Sequence, residues 1–504
     1  MLSPRNRWLI LLAVMLAFMP IVIDMTILHI AVPSLTLALG ASGTEILWII
    51  DIYPLVMAGL LVPMGTLADR VGHRRMMLAG LAIFLVASVA AAFAPNAAAL
   101  IGARVILALG ASMIIPNVLA IIRQTFEEPK ELAIALGLWG TISAAGSAFG
   151  PLVGGVLLEH FWWGSVFLIN VPVMALVWPL AYKVLPRRTP KGGGDWSIGQ
   201  ALVLILGLIA SVYAIKSGFK PGGSLWLSGV ILVLGLGLIA VFVQRQLQAT
   251  APMLDLTLFA RPAISIGTIM ALVVTGALAG VELTVAQELQ FVVGYTPFQA
   301  GLFLMPLVIG SAIGGPLAGY LVNAAGLRLV ASLSLLLAGL SLGGLGLSDF
   351  HDAGLAVIAL MAVLGLALSI GLTASSIAIM SSAPADKAGA AGALESTGYE
   401  LGAGLGITLF GVLLSSSYAS AIRIPAALAP GLPANAGQSI GETMLAAQDL
   451  GAAGEPLAAA ARLAFSDAHA MVLLSAAGVI GLLALAVGYA LRHHRDSEAA
   501  LSAH

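Results

Sequence analysis

The chain has 504 residues, of which 60% are apolar and only 9% charged, and its mean hydropathy is +1.05. Soluble domains are about half apolar and about one quarter charged, so this composition excludes a set of water-soluble domains. The formal net charge of −1 argues against a nucleic-acid partner. The chain contains no cysteine, which excludes disulfides, thiolate metal sites and cysteine nucleophiles. The composition predicts a polytopic membrane protein.

Fourteen apolar runs are long enough to cross a bilayer as helices, which takes about 20 residues each. Many are apolar on every face, which favours helices over the alternating strands of a barrel. The predicted spans are 8–32, 45–66, 75–94, 99–122, 133–157, 164–185, 198–216, 225–244, 262–291, 299–322, 328–348, 354–382, 390–417 and 469–491. The first span carries Asp24 and no cleavage site follows it, so we expect a retained helix rather than a signal peptide. The predicted fold class is all-α.

Lysine and arginine are unevenly distributed between the two sides that alternating loops define. With a cytoplasmic N-terminus, 17 of the 22 basic residues fall on the inside and four at outer positions, which leaves only Arg104 at membrane depth. Cytoplasmic loops carry an excess of positive charge. The sequence therefore predicts that both termini are cytoplasmic.

One internal repeat is visible in the sequence. GTLADRVGHR at 65–74 recurs as GYLVNAAGLR at 319–328, an offset of 254 residues. The repeat predicts two six-helix bundles, residues 1–185 and 262–504, joined by a linker with two extra transmembrane helices at 186–261. Duplicated halves of this kind are typical of secondary transporters, in which the substrate site lies where the repeats meet.

The longest hydrophilic connection, residues 418–468, is predicted to be extracytoplasmic and belongs to the second bundle. It is rich in Ala, Pro and Gly, and short helices are expected at 440–449 and 455–465. Two interpretations remain open for it, a surface loop and a functional lid.

Six acidic residues fall inside predicted spans, and only Arg104 opposes them. Ionisable groups at membrane depth are costly and are functional candidates by default, although each could also be a paired or interface carboxylate. An unpaired carboxylate there must bind a proton, bind a cation or face water. The six acids are Asp24, Asp51, Glu282, Glu288, Glu395 and Glu400.

The positions of these acids suggest different roles. Asp24, the most deeply embedded in apolar sequence, is predicted to couple protons, with Asp51 as the next candidate. Glu288 lies near the outer end of its span and is expected to line the outer mouth. The remaining three acids are substrate-binding candidates: Glu282, Glu395 and Glu400. For Arg104, pairing with an acid, a part in proton movement and hydrogen bonding to backbone carbonyls all remain open.

If the predicted spans are helices, four aromatic residues lie near these acids: Trp48, Tyr53, Trp139 and Tyr399. Each is a candidate for cation–π attraction to a delocalised or quaternary cation, worth about 0.5–2 kcal/mol. Packing and interface anchoring are the alternative roles.

Three classes of function compete. A secondary transporter is preferred. Within this class, export of a cation competes with export or uptake of a different solute such as an anion or a sugar, although six buried acids argue against anions. A membrane-embedded enzyme with paired carboxylates is disfavoured, because the sequence has no H-E-x-x-H, G-x-S-x-G or Walker A motif. A channel is disfavoured because duplicated halves suit alternating access. We therefore expect no catalytic residues, no metal site and no cofactor.

Two motifs carry a family resemblance. The segment 65–75 resembles the signature between helices two and three of the major facilitator superfamily, and 146–155 resembles the fifth-helix motif of its drug/proton antiporters. Proline between glycines has a physical role of its own, because it frees a backbone carbonyl and lets a close-packed helix bend. The conformational residues implied are Gly65, Asp69, Arg70, Gly72, Arg74, Arg75, Gly146, Gly150, Pro151, Gly154 and Gly155.

The number of spans, together with the segments 48–53, 163–172 and 395–400, resembles the 14-helix drug/proton antiporters, and especially QacA-like and SmvA-like exporters. The resemblance implies export of quaternary ammonium biocides, methyl viologen and cationic dyes in exchange for protons, with the proton gradient as the energy source. It places Asp24, Asp51, Glu395 and Glu400 at positions linked to proton coupling or cation binding. We further expect a monomer surrounded by lipid in the bacterial cytoplasmic membrane.

Overall fold

The computed structural model describes residues 4–126, 128–186, 198–220, 223–250, 252–352, 354–384 and 387–493. This part of the chain is built of helices and contains no β-strand, which confirms the predicted all-α class. The predicted basic linker around Lys191 lies outside the described residues.

The helices are α1 (Pro4–Leu39), α2 (Gly43–Val71), α3 (His73–Ala92), α4 (Ala97–Thr125), α5 (Pro129–His160), α6 (Ser165–Leu168), α7 (Asn170–Val184), α8 (Ile198–Phe219), α9 (Leu225–Gln248), α10 (Pro262–Gln287), α11 (Pro297–Phe303), α12 (Met305–Ala325), α13 (Leu327–Gly346), α14 (Leu355–Ser382), α15 (Ala388–Ala421), α16 (Ile440–Asp449) and α17 (Glu455–Ala490). A 3-10 turn, Leu256–Ala260, precedes α10, and a π-turn, Glu288–Val292, follows it.

Thirteen helical segments of the described chain are long and apolar enough to cross a membrane. The 32-residue helix α5 is a further one by length, because a helix rises about 1.5 Å per residue. Together they accord with the predicted count of fourteen. Two of the spans are broken, with α6 and α7 meeting at Ile169 and α11 and α12 meeting at Leu304.

Several helix starts have side-chain caps that satisfy otherwise unpaired backbone N–H groups. Before α2, the Ser42 hydroxyl accepts a bond from the Glu45 backbone N–H (3.3 Å), and the Glu45 carboxylate accepts one from the Ser42 N–H (2.9 Å). Before α4, the Asn96 side chain accepts from the Ala99 N–H at 2.9 Å. These caps explain why both helices begin where they do.

The chain forms two compact units, residues 1–211 with 231–253, and 212–230 with 254–504. In the first unit α1 packs on α4, α5 and α7, while α3 packs on α4 and α7 and α2 packs on α4. In the second unit α10 packs on α14, α15 and α17, while α13 packs on α14 and α17 and α12 packs on α14. The same helix pairs therefore recur, in the same order along the chain.

The sequence repeat has the same backbone geometry in both units. Gly72 (φ 102°) is the single residue between α2 and α3, and Gly326 (φ 83°) is the single residue between α12 and α13. A left-handed φ is accessible to glycine at little cost, unlike other residues. Arg74 donates to the Tyr182 carbonyl near the end of α7 at 2.5 Å, and Arg328 donates to the Gly488 carbonyl near the end of α17 at 2.7 Å, so each arginine caps a later helix of its own unit.

The predicted outer connection is a folded element. The connection between the two long helices is shorter than the predicted 418–468 and spans 422–454. The reason is that α15 continues to Ala421 and α17 begins at Glu455, before the predicted span at 469–491. The Ala-rich stretch 455–468 has strong helix propensity, which explains this continuation. The segment contains α16, whose Thr443 hydroxyl accepts a bond from the Tyr418 hydroxyl at 2.7 Å. We call residues 422–454 the outer hairpin; it packs on the start of α17 in a small apolar core around Leu457.

The segment before α10 is tied to the second unit by polar contacts. The Lys387 ammonium lies 2.7 Å from the Asp255 carboxylate, and Arg261 donates to the Ser382 carbonyl. Hydrogen bonds from Lys387 and Thr257 lower the pKa of the Asp255 carboxyl. These contacts lie on the predicted cytoplasmic side.

Candidate functional site

The first unit contains a buried ion pair at membrane depth. Arg104 of α4 donates through Nη1 to Oδ2 of Asp24 on α1, and each residue is only 1% exposed. The Nε of Arg104 also donates to the Ile49 carbonyl of α2 at 3.1 Å, and its guanidinium lies 4.3 Å from the ring centre of Tyr53. Arg104 therefore bonds both an acid and a backbone carbonyl, two roles that the sequence had left as alternatives.

One oxygen of Asp24 is still available. Oδ1 has no hydrogen-bond partner among the described residues, although the Asn170 amide of α7 is near enough to act on the carboxylate. Asn170 is itself buried, and its side-chain amide donates a long hydrogen bond, 3.5 Å, to the Ser88 hydroxyl. Asn170 was not among the predicted site residues, although it is a polar side chain in the apolar run 164–185 and lies in the segment 163–172 that carries part of the family resemblance.

The other predicted residues of the first unit lie close by in sequence or in space. Asp51 is fully buried on α2, two residues from both Ile49 and Tyr53. Trp48 is half-buried on the same helix. The ring of Trp139 on α5 packs on Phe18 of α1, with centroids 5.8 Å apart. Tyr53 contacts a buried charge, the guanidinium of Arg104.

The glycines of 146–155 form a close seam between α5 and α1. A Cβ on Gly146 would meet Val22 at 3.1 Å, one on Gly150 would collide with Thr26, and one on Gly154 would meet Ile27 at 2.7 Å. These three α1 residues flank Asp24. The helix that carries the acid is thus enclosed by the glycine face of α5 as well as by Arg104.

The rest of that motif, Pro151 and Gly155, is buried in α5 beside the seam. The second unit has an equivalent seam between α15 and α10, where a Cβ on Gly402 would collide with Thr275 and one on Gly406 with Gly276. Close helix contact at small residues is characteristic of packing in lipid.

The motif 65–75 lies at the junction of α2 and α3. His73 bridges Asp69, at 3.4 Å, and the Asn117 side chain of α4, at 2.7 Å. The guanidinium of Arg74 also stacks over Tyr182, 4.8 Å from the ring centre. Gly65 packs near Pro116, and Arg70 and Arg75 are exposed.

In the second unit the two acids of α15 have different environments. Glu395 is half-buried and accepts a hydrogen bond from the Tyr399 hydroxyl, which also lies near Ser375 and Ser376 of α14. Glu400 is 7% exposed, and its Oε2 has no hydrogen-bond partner among the described residues. Glu395 and Glu400 therefore do not share one binding geometry.

The face of α15 that carries Glu400 has a second open oxygen. Thr397 lies one turn before Glu400, and its buried hydroxyl also lacks a hydrogen-bond partner among the described residues. A buried carboxylate without a counter-charge is costly unless a proton or a cation neutralises it. Glu400 is therefore the clearest candidate for cation binding in this unit.

The two acids of α10 and its π-turn are both buried. Glu282 lies within α10, and Glu288 begins the π-turn, where its Oε1 accepts a bond from the Ser466 hydroxyl at 2.6 Å. Glu288 is 3% exposed, so in this structure it is enclosed by the protein. Ser466 lies in the stretch that the sequence assigned to the outer loop, which is why it was not predicted.

Comparison with known proteins adds independent information. The family model described as "Major Facilitator Superfamily" matches residues 14–287. The chain is 46% identical over 487 residues to the methyl viologen resistance protein SmvA of Salmonella typhimurium LT2, covering 96% of this chain and 98% of the relative. It is 36% identical over 493 residues to the multidrug efflux pump LfrA of Mycolicibacterium smegmatis, covering 95% and 97%.

A solved structure supports the fold. The crystal structure of a bacterial homologue of the human lysosomal transporter Spinster, in an inward-facing and unoccupied conformation, aligns with a TM-score of 0.69. The alignment covers 97% of this chain and 98% of that chain at 17% sequence identity. At this identity the likeness concerns the fold alone.

Proposed function

Because the chain belongs to the major facilitator superfamily, we propose that it is a proton-driven antiporter that expels lipophilic organic cations. Quaternary ammonium biocides, methyl viologen and cationic dyes are the proposed substrates. The chain is a multi-pass membrane transporter of the drug-efflux kind and not an enzyme, as its similarity to SmvA and LfrA over nearly the whole length indicates.

The observation that carries the proton coupling is the Asp24–Arg104 pair. Its charges compensate each other while Asp24 is ionised, and Oδ1 of Asp24 is open to receive a proton. A proton on Oδ1 neutralises the carboxylate and leaves Arg104 as a buried cation held by the Ile49 carbonyl and the Tyr53 ring. Losing one partner of a buried pair costs about 3–5 kcal/mol.

That cost couples protonation of Asp24 to the arrangement of the helices. Asp24, Arg104 and Tyr53 belong to α1, α4 and α2, so protonation weakens a buried polar contact between α1 and α4. A helix arrangement in which Arg104 finds water or another acceptor is then favoured. A ligand shifts a conformational equilibrium by its differential affinity for the two states, and here the ligand is the proton.

The proposed cation site uses the acids of the second unit. Glu400 lacks a basic partner among the described residues, and Glu395 with Tyr399 offers a carboxylate beside an aromatic ring. A charge next to an aromatic face suits a delocalised cation better than a small hydrated ion. Glu282 is a further buried carboxylate of the same unit.

Energy and location follow from the same proposal. Expelling a monovalent cation against 100 mV, inside negative, costs about 2.3 kcal/mol. Two protons entering per cation would use both the potential and the pH gradient, whereas one-for-one exchange would use the pH gradient alone. The proposed location is the bacterial cytoplasmic membrane with both termini in the cytoplasm, and no cofactor is needed.

Proteoliposomes with an imposed pH gradient test the proton coupling. Asp24→Asn resembles the protonated form permanently, so we expect it to abolish uphill transport of every cation and the proton release that substrate causes in purified protein. Asp352→Asn, an exposed loop acid, is the matched control and should retain both. Uphill, pH-dependent export by Asp24→Asn would move the coupling site elsewhere, with Asp51 the next candidate.

Cation selectivity tests the substrate site separately. Glu400→Gln and Glu395→Gln should each weaken binding of some cations more than others, because the two carboxylates have different surroundings. Dissociation constants for a dye, a quaternary ammonium compound and methyl viologen, measured on purified variants, would reveal this. An equal loss of transport for all substrates with normal binding would contradict the assignment.

A further inference from the structure

A second buried polar cluster lies at the outer end of the second unit, away from the acids of α15. Its centre is Glu288, the first residue of the π-turn that follows α10, in which the Val293 N–H bonds the Glu288 carbonyl at 3.1 Å. Single π-turns within helices are uncommon and occur frequently at functional sites. Glu288 is the last residue in α-helical register here, since its own N–H still bonds the Thr284 carbonyl.

The carboxyl of Glu288 is only half satisfied. Its Oε1 accepts the Ser466 hydroxyl of α17, whereas its Oε2 has no hydrogen-bond partner among the described residues. At 3% exposure the group is shielded from water by the protein itself. Buried polar atoms are nearly always hydrogen-bonded, so an open carboxyl oxygen requires an explanation.

A buried histidine accompanies it. His469 lies three residues after Ser466 on α17 and therefore on the same helix face. It is also 3% exposed, and neither ring nitrogen has a hydrogen-bond partner in the described part of the chain. Its ring meets Phe350 edge-on, with centroids 5.2 Å apart, at the connection between α13 and α14. His469 is thus a second buried titratable side chain, one helical turn from the serine that bonds Glu288.

The surrounding charges do not neutralise Glu288. Asp349, whose side chain is 72% exposed, acts on it with the same sign. His351 is paired with Asp349, and Arg462 of α17 is paired with Glu455 at 3.1 Å. Within its own helix the nearest acid is the buried Glu282, and the other polar groups of α17 on this face are Ser466 and His469. No lysine or arginine of the described residues compensates the carboxylate.

We propose that Glu288, Ser466 and His469 form a proton-binding site in the second unit, separate from Asp24. Hydronium from the outer side gives its proton to Oε2 of Glu288 and leaves as water, so a carboxylic acid replaces a carboxylate. The Ser466 hydroxyl continues to bond Oε1, which becomes the carbonyl oxygen. His469 provides the neighbouring base to which the proton can pass.

The exposed Asp349 marks the aqueous end of this cluster, and Phe350 separates it from the buried histidine. The site also joins three parts of the chain, the π-turn, α17 and the connection before α14. Val292 of the π-turn and Phe465 of α17 pack in one apolar cluster that also includes part of the outer hairpin. Proton binding at Glu288 therefore changes the charge close to the outer hairpin. The proposal holds whether or not a proton gradient drives export.

Infrared difference spectroscopy between acidic and alkaline pH, on purified protein without substrate, tests the site. A protonated buried carboxyl has its own C=O stretching band. We expect Glu288→Gln to remove one such band, Ser466→Ala to keep it at a higher frequency because Oε1 loses its hydrogen bond, and His469→Gln to shift the pH midpoint of that band. Glu159→Gln, an exposed acid on α5, should leave all three properties unchanged.

The outcomes separate this site from the proposed export function. If Asp24→Asn abolishes export while the Glu288 band persists, the two proton sites are distinct, as proposed. Persistence of the band in Glu288→Gln, or an unchanged frequency in Ser466→Ala, would overturn the assignment of the proton to Glu288. An unchanged pH midpoint in His469→Gln would show that the histidine does not take part, and would overturn the proposal that the three residues form one site. If Glu288→Gln fails to fold, the frequency of the C=O band in Ser466→Ala still tests the assignment.

Discussion

At the residue scale, the Asp24–Arg104 pair concentrates both stability and chemistry. Arg104 satisfies Asp24, the Ile49 carbonyl and the face of Tyr53 at once. A planar guanidinium can do this, whereas a lysine ammonium lacks the fork of donors. Loss of either charge alone is therefore expected to destabilise the protein more than loss of both charges together.

We expect Arg104→Gln to be strongly destabilising, by about 3–5 kcal/mol, because it leaves Asp24 buried without its counter-charge. Combining it with Asp24→Asn should recover part of the loss, since no unpaired charge then remains. Thermal unfolding midpoints of the purified variants in detergent would measure both effects.

Arg123→Gln supplies the matched control for that measurement, because Arg123 is an exposed arginine near the end of the same helix. Its unfolding midpoint should match that of the parent protein. A double variant no more stable than Arg104→Gln alone would show that the pair is not the source of the loss.

The Asp255–Lys387 pair predicts a pH dependence of stability. The pKa of Asp255 is lowered in the folded state, so its pairing stabilises the fold above the unfolded pKa of about 3.9 and is lost as pH falls through the lower, folded value. We expect Lys387→Ala to lower the unfolding midpoint slightly at pH 7. The difference from the parent should vanish in strong acid; a difference that persists there would assign it to lost packing.

At the scale of the elements, α1 is enclosed between α4 and α5. The ion pair with Arg104 lies on one side, and the glycine seam of α5 lies on another. Movement of α1 therefore requires that α5 can slide or bend along the seam. The seam is the physical basis on which the 146–155 motif can affect a proton site that it does not contain.

Gly150→Ala should impair transport and lower stability by about 1–3 kcal/mol, because its Cβ would collide with Thr26 and approach the Ile23 carbonyl to 3.2 Å. Thr26→Ala should restore part of both properties by removing the hydroxyl oxygen with which that Cβ collides. Export in vesicles and the unfolding midpoint are the two measurements.

Gly137→Ala in the same helix is the control, since a Cβ there meets nothing within 4 Å. Replacing an open helical glycine with alanine should be neutral or slightly stabilising. Equal damage from Gly137→Ala and Gly150→Ala would attribute the effect to helix flexibility rather than to close packing.

At the scale of the whole molecule, each unit repeats the same helix pairings, the same positive-φ glycine and the same arginine cap. Helices α8 and α9 lie between the two repeats in the chain. Because the number of predicted spans is even, the two chain ends are expected on the same side of the membrane.

Reporter fusions test this topology. A fusion at Lys191 should report the cytoplasm, and one at Gln438, in the outer hairpin, should report the opposite side, because the basic residues concentrate on the inside. Paired reporters that are active on opposite sides of the membrane give each fusion its internal control. Reversed sidedness at both positions would invalidate the predicted orientation.

The sequence by itself determined the all-α membrane class, the repeat and the set of buried acids, because apolar run length and rare charges are local properties of the chain. Only the tertiary structure decided that Arg104 bonds Asp24, that Asn170 lies near that carboxylate, and that Ser466 meets Glu288. These partners lie 80, 146 and 178 residues apart in sequence. Contacts over such separations depend on how helices pack, and hydrophobic periodicity does not encode that packing when a helix is apolar on every face.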